Sequence, residues 1–262
     1  MKQASIRFTV EIAGVPAEIC CRYPETKTYM EDFLSEQEPC FTVRPSEEDF
    51  EAFRKWAEEL LAKGQEEYDY SPVMQENILV HSQLSRELVK HDVLLVHGSA
   101  ISMDGEVYLF TAPSGTGKST HTRLWREVFG ERTRMINDDK PMLKISPDGV
   151  EVYGTPWRGK HRLGGNVHGP LKAIIDLTRD TENHIERISA ADAFPIIKKQ
   201  AVGFRDVGLM TKILSLEKIL METVPFYRLG CNMEREAAQV AWEGMNQSGS
   251  SRQGIPNRYG TI

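Results

Sequence analysis

A glycine-rich segment at residues 112–119, Ala-Pro-Ser-Gly-Thr-Gly-Lys-Ser, constrains the fold of this 262-residue chain more than any other feature. It follows an apolar run at 107–110 and precedes a stretch of helical periodicity at 120–129, the strand–loop–helix order of a phosphate-binding loop. Ala112 stands where that motif usually has glycine, and the alternative is a Gly- and Ser-rich surface turn. The segment, called the glycine loop below, predicts an α/β fold that binds a nucleotide.

The residue types in the glycine loop each suit a phosphate ligand. Glycines let successive backbone N–H groups turn toward the phosphates, and the following helix points its positive end at the anion. Lys118 is expected to reach the outer phosphates, and the Ser119 hydroxyl is expected to bind Mg²⁺. The predicted nucleotide contacts are Ser114, Gly115, Thr116, Gly117, Lys118, Ser119 and Thr120. ATP and Mg²⁺ are the expected cofactors, with GTP and pyrophosphate left open as donors.

The composition of the chain argues against nucleic acids and membranes as partners. The formal net charge is −6 and the isoelectric point is near 5.7, without a stripe of basic residues, so no nucleic-acid partner is expected. The N-terminus lacks the apolar core of a signal peptide, and no apolar run approaches membrane-spanning length. A cytoplasmic protein without a membrane contact is the expectation. The cysteines follow no metal-binding spacing and are expected to be reduced thiols.

The chain divides into three predicted parts. Residues 1–90 predict short strands up to about residue 45 and helices after it, with a capping-box signature at Ser46 and Asp49, and thus a small α+β accessory lobe. Residues 91–246 carry the glycine loop. The Asp104-Gly105 turn predicts a hairpin there, so the sheet is expected to be mixed and partly antiparallel. Residues 247–262 have the composition of a disordered tail. The accessory lobe is expected to pack over the site or against a second copy of the chain in a homo-oligomer.

Two adjacent carboxylates, Asp138 and Asp139, follow the apolar pair at 135–136 and are expected at the carboxyl end of a strand. In phosphoryl transfer one carboxylate can hold Mg²⁺ while another accepts the proton of an attacking hydroxyl. The alternative is a turn in which the aspartates hydrogen-bond to their own backbone. Their position after a glycine loop favours the functional interpretation, with the division of roles between them open.

Further candidates flank these two motifs. His97 lies one hairpin before the glycine loop, although a lone histidine at a strand end is more often structural. A basic, glycine-rich stretch at 154–166 contains an exposed-looking Trp157 and can supply the cation of Arg158 or Lys160 to offset the charge of a phosphoryl transition state. The alternative for this stretch, called the 154–166 loop below, is a mobile surface loop.

The order of these motifs over residues 93–178 resembles the catalytic, C-terminal domain of HPr kinase/phosphorylase and, in the Ser-Gly-Thr-Gly-Lys-Ser-Thr run, ATP-dependent PEP carboxykinase. The resemblance implies a kinase of bacterial type in which Lys118 binds the outer phosphates, Ser119 and Asp139 hold Mg²⁺, and Asp138 is the base. It implies that His97 and Arg158 meet the transferred phosphate. The segment that HPr kinases use for their protein substrate is not recognisable, with a faint trace at 201–205.

The sequence therefore predicts an ATP- and Mg²⁺-dependent kinase that phosphorylates a hydroxyl of a small molecule or of a peptide or protein Ser/Thr. The main alternative is a nucleotide-binding regulatory or scaffold protein with little catalysis, and a phosphatase or ATPase that uses water is another. The presence of Lys118, Asp138, Asp139 and Arg158 together favours the kinase, because a pure sensor would not need a base.

Overall fold

A computed structural model describes residues 5–63, 71–201 and 206–247. The predicted tail lies outside these ranges except for Gln247, which ends the last helix. Residues 202–205, which belong to the faint match to the HPr kinase substrate segment, also lie outside these ranges. The first part of the chain contains β1 (Ile6–Ile12), β2 (Val15–Cys21), α1 (Pro24–Tyr29), β3 (Phe41–Val43), α2 (Glu47–Ala62) and α3 (Pro72–Leu88).

These first strands form a three-stranded sheet in the order β1-β2-β3, with β1 and β2 antiparallel and β2 and β3 parallel. Helix α2 begins with the predicted capping box: the Ser46 hydroxyl accepts from the Asp49 N–H, and the Asp49 carboxylate accepts from the Ser46 N–H. A buried carboxylate on α3, that of Glu76, accepts the N–H groups of Arg22 and Tyr23 at 2.6 and 3.2 Å. Together with a 2.7 Å hydrogen bond from the Thr26 hydroxyl, these contacts fix the start of α1.

The rest of the chain contains β4 (Val93–Leu95), β5 (Ser99–Met103), β6 (Glu106–Thr111), α4 (Lys118–Phe129), β7 (Thr133–Asn137), β8 (Met142–Ser146), β9 (Gly149–Tyr153), β10 (His168–Arg179), β11 (His184–Ile188), α5 (Ala190–Gln200), α6 (Val207–Thr223), β12 (Phe226–Cys231) and α7 (Glu236–Gln247). No helix in the described ranges is long and apolar enough to cross a membrane.

A second sheet runs in the order β4-β8-β9-β10-β6-β5-β7, and β12 pairs with both β10 and β11. β10 is parallel to β6 and β12 but antiparallel to β9, so one long strand joins the parallel and antiparallel parts. β5 and β6 form the hairpin at Asp104-Gly105, where φ is +52° and +88°. The predicted α/β class and the mixed, partly antiparallel sheet are confirmed.

Helices cover both faces of β6, which explains its apolar sequence. Leu109 points into a cluster with Ile213 and Leu220 of α6, whereas its neighbour Phe110 points into a cluster with Trp125 of α4. Because successive strand residues face opposite sides, both faces of β6 are buried. The glycine loop therefore leaves the sheet from a fixed, central strand.

A third apolar cluster joins the N-terminal strands to the second sheet. It contains Val10 and Ile19 from the first sheet, Leu84 from α3, and Leu95 and Met142 from β4 and β8. The first 90 residues thus share a hydrophobic core with the strands that follow them.

Candidate functional site

The glycine loop runs from the end of β6 at Thr111 to the start of α4 at Lys118. Gly115 and Gly117 have φ values of +78° and +127°, a backbone region that residues with a Cβ rarely adopt. A side chain at either position would strain the loop. The first turn of α4 opens on the loop with no side-chain cap on its N–H groups.

Lys118 is 8% exposed, and its Nζ donates a hydrogen bond of 2.9 Å to the carbonyl oxygen of Ala112 at the start of the loop. Burial lowers the pKa of Lys118, and the cation of Lys140 acts in the same direction. The carboxylates of Asp139 and Asp138 oppose this shift. The ammonium group therefore lies within electrostatic reach of both aspartates.

Arg179, at the end of β10, holds the glycine loop from the opposite side. Its guanidinium donates to the carbonyl oxygens of Gly115 at 2.5 Å and Thr116 at 3.2 Å. Arg179 was not identified from the sequence, because its position at the loop depends on the parallel pairing of β10 with β6. The pairing brings the ends of both strands to the same edge of the sheet.

Asp138 and Asp139 follow β7, and the turn that they form depends on their neighbour Asn137. The side-chain oxygen of Asn137 accepts from the N–H groups of Asp139 at 2.9 Å and Lys140 at 2.8 Å. Its Nδ2 donates to the backbone and side-chain oxygens of Thr155. Asn137 thus supplies the turn-forming hydrogen bonds that were considered for the aspartates, whose carboxylates contact other groups.

The two carboxylates have different surroundings. Asp138 is 7% exposed and accepts a 2.6 Å hydrogen bond from the Ser99 hydroxyl, which lies 3.1 Å from the Thr122 hydroxyl on α4. Asp139 is more exposed, and its Oδ1 accepts from Lys140 Nζ at 2.7 Å. The Asp138 carboxylate is therefore held by a buried hydroxyl, whereas the Asp139 carboxylate is partly exposed and paired with a lysine.

His97 lies beside the second carboxylate, with its Nε2 3.4 Å from Asp139 Oδ1. Burial lowers the pKa of His97, helped by the nearby cations of Lys140 and Lys118, while Asp139 acts against the shift. The adjacent Gly98 donates its N–H to the Asp139 carbonyl at 3.1 Å, and a Cβ there would overlap Leu109 and the Phe110 carbonyl. His97 is thus held against the end of β6.

The 154–166 loop packs against the aspartates. A Cβ on Gly159, where φ is +67°, would lie 3.1 Å from Asp139 Cβ. A Cβ on Gly154 or Gly164 would overlap the backbone, in both cases at the carbonyl of Ile136. The loop therefore approaches β7 at backbone distance. Lys160 lies on its exposed side.

Arg158 links this loop to the N-terminal part of the chain. Its guanidinium donates to the Gly164 carbonyl at 3.1 Å and to the Asp32 carboxylate at 2.6 Å. Asp32 lies on the 3₁₀ turn after α1, and its backbone carbonyl accepts from the Asn166 side chain. Because Arg158 and Asp32 are 126 residues apart in the sequence, no local motif predicts their ion pair.

Trp157 is half-buried rather than exposed, because its ring packs against the N-terminal apolar cluster and lies 4.4 Å from the ring of His81. Burial lowers the pKa of His81 to about 4, with a further contribution from Lys140. His81 comes from α3 and was not identified from the sequence, where nothing distinguishes it from other histidines on a helix.

The oxygen donors present suit a hard cation. A Ser119 hydroxyl and an Asp139 carboxylate are ligands of the kind that Mg²⁺ takes alongside phosphate oxygens and water. Within the described ranges there is no cluster of three or more His, Cys, Asp or Glu side chains that would form an all-protein metal cage. Mg²⁺ in nucleotide sites does not need one.

Neither a protein-family model nor a curated protein matches this sequence. Among solved structures, the HPr(Ser) kinase/phosphatase from Coxiella burnetii matches with 12% sequence identity and a TM-score of 0.33. The match covers 61% of this chain and 99% of that one. The chain thus has a distant structural similarity to this protein.

Proposed function

We propose that the chain is an ATP- and Mg²⁺-dependent kinase that transfers the γ-phosphate to a hydroxyl of a small molecule or of a peptide or protein Ser/Thr. The observation that carries the proposal is the link between the aspartates and the helix that begins at Lys118: the Ser99 hydroxyl donates to the Asp138 carboxylate and lies 3.1 Å from the Thr122 hydroxyl on α4. Phosphoryl transfer needs a cation on the phosphates and a carboxylate beside the acceptor, within one site.

The proposed roles follow from the contacts. Lys118 would exchange the Ala112 carbonyl for a phosphate oxygen, joined by the N–H groups of residues 114–120. Ser119 and Asp139 would hold Mg²⁺, which neutralises charge on the phosphate oxygens. As the bond from the γ-phosphorus to the β-phosphate oxygen breaks and the bond to the acceptor oxygen forms, Asp138 would take the acceptor's proton.

The remaining proposed residues surround the acceptor side. His97 and Arg158 would meet the transferred phosphate, and the 154–166 loop would contact the acceptor through Trp157 and Lys160. The hydrogen bond from Ser99 would keep the Asp138 carboxylate in one orientation. A general base must lie within hydrogen-bond reach of the proton that it removes, so this orientation matters to the proposal.

Calorimetry of ATP binding with Mg²⁺ tests the phosphate site. We expect Lys118→Ala to weaken binding by about 10- to 100-fold, because a charge-assisted hydrogen bond contributes about 1.5–3 kcal/mol. Lys218→Ala, at a position on α6 whose side chain is 72% exposed, is the matched control and should bind as the wild type does. Failure of the wild type to bind any nucleoside triphosphate would overturn the proposal.

Transfer from γ-labelled ATP to hydroxyl-bearing metabolites and peptides tests the chemistry. We expect Asp138→Asn to lower turnover by about 10²- to 10⁴-fold with little change in ATP affinity, the usual effect of removing a general base. Asp139→Asn should instead raise the Mg²⁺ concentration needed. Near-normal turnover in Asp138→Asn would refute its role as the base. ATP binding without transfer would favour the regulatory alternative, and rapid phosphate release without an acceptor would favour an ATPase.

A further inference from the structure

A cavity of about 420 Å³ opens beside the glycine loop. Its walls are the loop itself, the first turns of α4, the end of β10 and the turn that follows β12. Small-molecule sites in proteins have volumes of about 300–1,000 Å³, so the cavity is large enough for a bicyclic aromatic ring. None of the catalytic groups proposed above lines it.

We propose that this cavity holds the purine base of the nucleotide, packed against Leu124, Leu177 and Met233. The proposal rests on the proposed function, because it takes the glycine loop as the site of the phosphates. Gly115 and Gly117 belong both to the loop and to the cavity wall, so the cavity adjoins the proposed phosphate site directly.

The apolar wall supplies the surface for stacking. Leu124 and Leu177 are almost fully buried beneath the cavity, whereas Met233 is 76% exposed in the turn after β12. A flexible thioether adapts to the face of an aromatic ring, and sulfur–aromatic contacts are favourable. Covering Met233 with a base would remove one of the most exposed large apolar side chains in the described ranges from water.

A polar group in the same wall requires a hydrogen-bond acceptor. His121 is 2% exposed and lines the cavity, and its Nε2 accepts from the Trp125 indole N–H at 3.1 Å. Because Nε2 accepts this hydrogen bond, the imidazole proton is placed on Nδ1. Nδ1 is buried without a hydrogen-bond partner among the described residues.

A buried donor without a partner costs free energy, and the ring nitrogens of a purine are acceptors that would satisfy it. Tripolyphosphate, which has no base, would leave the Nδ1–H of His121 without an acceptor. The base and the phosphates therefore make separable contributions to binding.

Calorimetry with the Mg²⁺ complexes of ATP, CTP and tripolyphosphate separates these contributions. We expect ATP to bind at least about tenfold more tightly than tripolyphosphate and more tightly than CTP, from the apolar area that a purine buries. Met233→Gln should reduce this ATP advantage by about threefold or more and leave tripolyphosphate affinity unchanged. Val207→Gln, at an 82% exposed apolar position on α6, is the matched control and should change neither.

Histidine-ring NMR gives a second readout. The His121 Nδ1–H signal should shift on addition of ATP but not of tripolyphosphate. Equal, Lys118-dependent binding of ATP and tripolyphosphate would overturn the base site while leaving the phosphate site intact. Equal binding of ATP and CTP would overturn the assignment to a purine. Loss of binding by all three ligands would overturn the proposed function instead.

Discussion

The Ser99 hydroxyl lies between two polar groups from different elements, the carboxylate of Asp138 after β7 and the hydroxyl of Thr122 on α4. All three side chains are buried, so each hydrogen bond is made in a site of low polarity where it strongly restricts orientation. Ser99 is therefore a positioning residue for the proposed base.

We expect Ser99→Ala to lower kcat by about tenfold while KM for ATP stays within about twofold, because the lost hydrogen bond contributes about 1–2 kcal/mol. Steady-state kinetics with an acceptor from the screen measure both constants. Ser102→Ala is the matched control, since its hydroxyl, on the same strand, donates to the exposed backbone carbonyl of Arg134. An equal effect of both substitutions would indicate a general loss of strand stability rather than positioning.

Functional residues that are adjacent in the sequence can be predicted from it, whereas contacts that depend on the pairing register of two strands cannot. Asp138 and Asp139 stand out because they are adjacent and follow an apolar run. The contact between Ser99 and Asp138 joins residues 39 apart. It depends on the pairing of β5 with β7, which includes a register shift beside Ala100. No periodicity in the sequence specifies that shift.

Among the elements, the 154–166 loop has the strictest steric requirement. It runs so close to β7 that a Cβ on Gly164 would overlap the Ile136 carbonyl, and φ at Gly164 is +105°. Both the close approach and the backbone conformation favour glycine at this position.

We expect Gly164→Ala to lower the free energy of unfolding by about 2–4 kcal/mol, from overpacking together with backbone strain. Gly165→Ala is the neighbouring control, because a Cβ there would meet nothing within 4 Å. Urea denaturation of the two variants measures the difference. Similar stability of both variants would show that the loop can move away from β7 at little cost.

Element boundaries were predicted well where local chemistry marks them. The capping box begins α2, and the Asp-Gly turn joins β5 to β6. β10 extends from His168 to Arg179, beyond its apolar middle on both sides, because its polar ends pair with β9 and β12 rather than with the core. Such pairings depend on tertiary contacts, which a single sequence does not specify.

Across the whole molecule, histidines bury their rings in two separate apolar regions. His121 lies between Phe110 and Trp125 under the second sheet, and His81 lies against Trp157 near the first. Burial lowers the pKa of His121 to about 3 and that of His81 to about 4, below the usual value of 6.5. Between these values and pH 6.5 the unfolded chain binds protons that the folded chain does not.

Stability should therefore be fully present above about pH 6.5 and fall as the pH is lowered toward 4. Each such histidine contributes about 1.4 kcal/mol per pH unit. We expect His121→Gln to reduce this slope by about that amount, as measured by urea unfolding from pH 4 to 7. His184→Gln is the control, because His184 is exposed in the folded chain as it is in the unfolded one. An unchanged slope in His121→Gln would mean that its ring gains a proton in the folded state.

The contact between Trp125 and His121 also has a spectroscopic consequence. Trp125 is fully buried, with its indole N–H bonded to an imidazole in the cavity wall, whereas Trp157 is half-buried beside His81. The two indoles therefore differ in polarity and should emit at different wavelengths, the buried one further to the blue. The chain also contains Trp56 and Trp242, so replacing Trp56, Trp157 and Trp242 together by phenylalanine would leave Trp125 as the single indole. Its emission would then be a label-free signal of a ligand that enters the cavity beside the glycine loop.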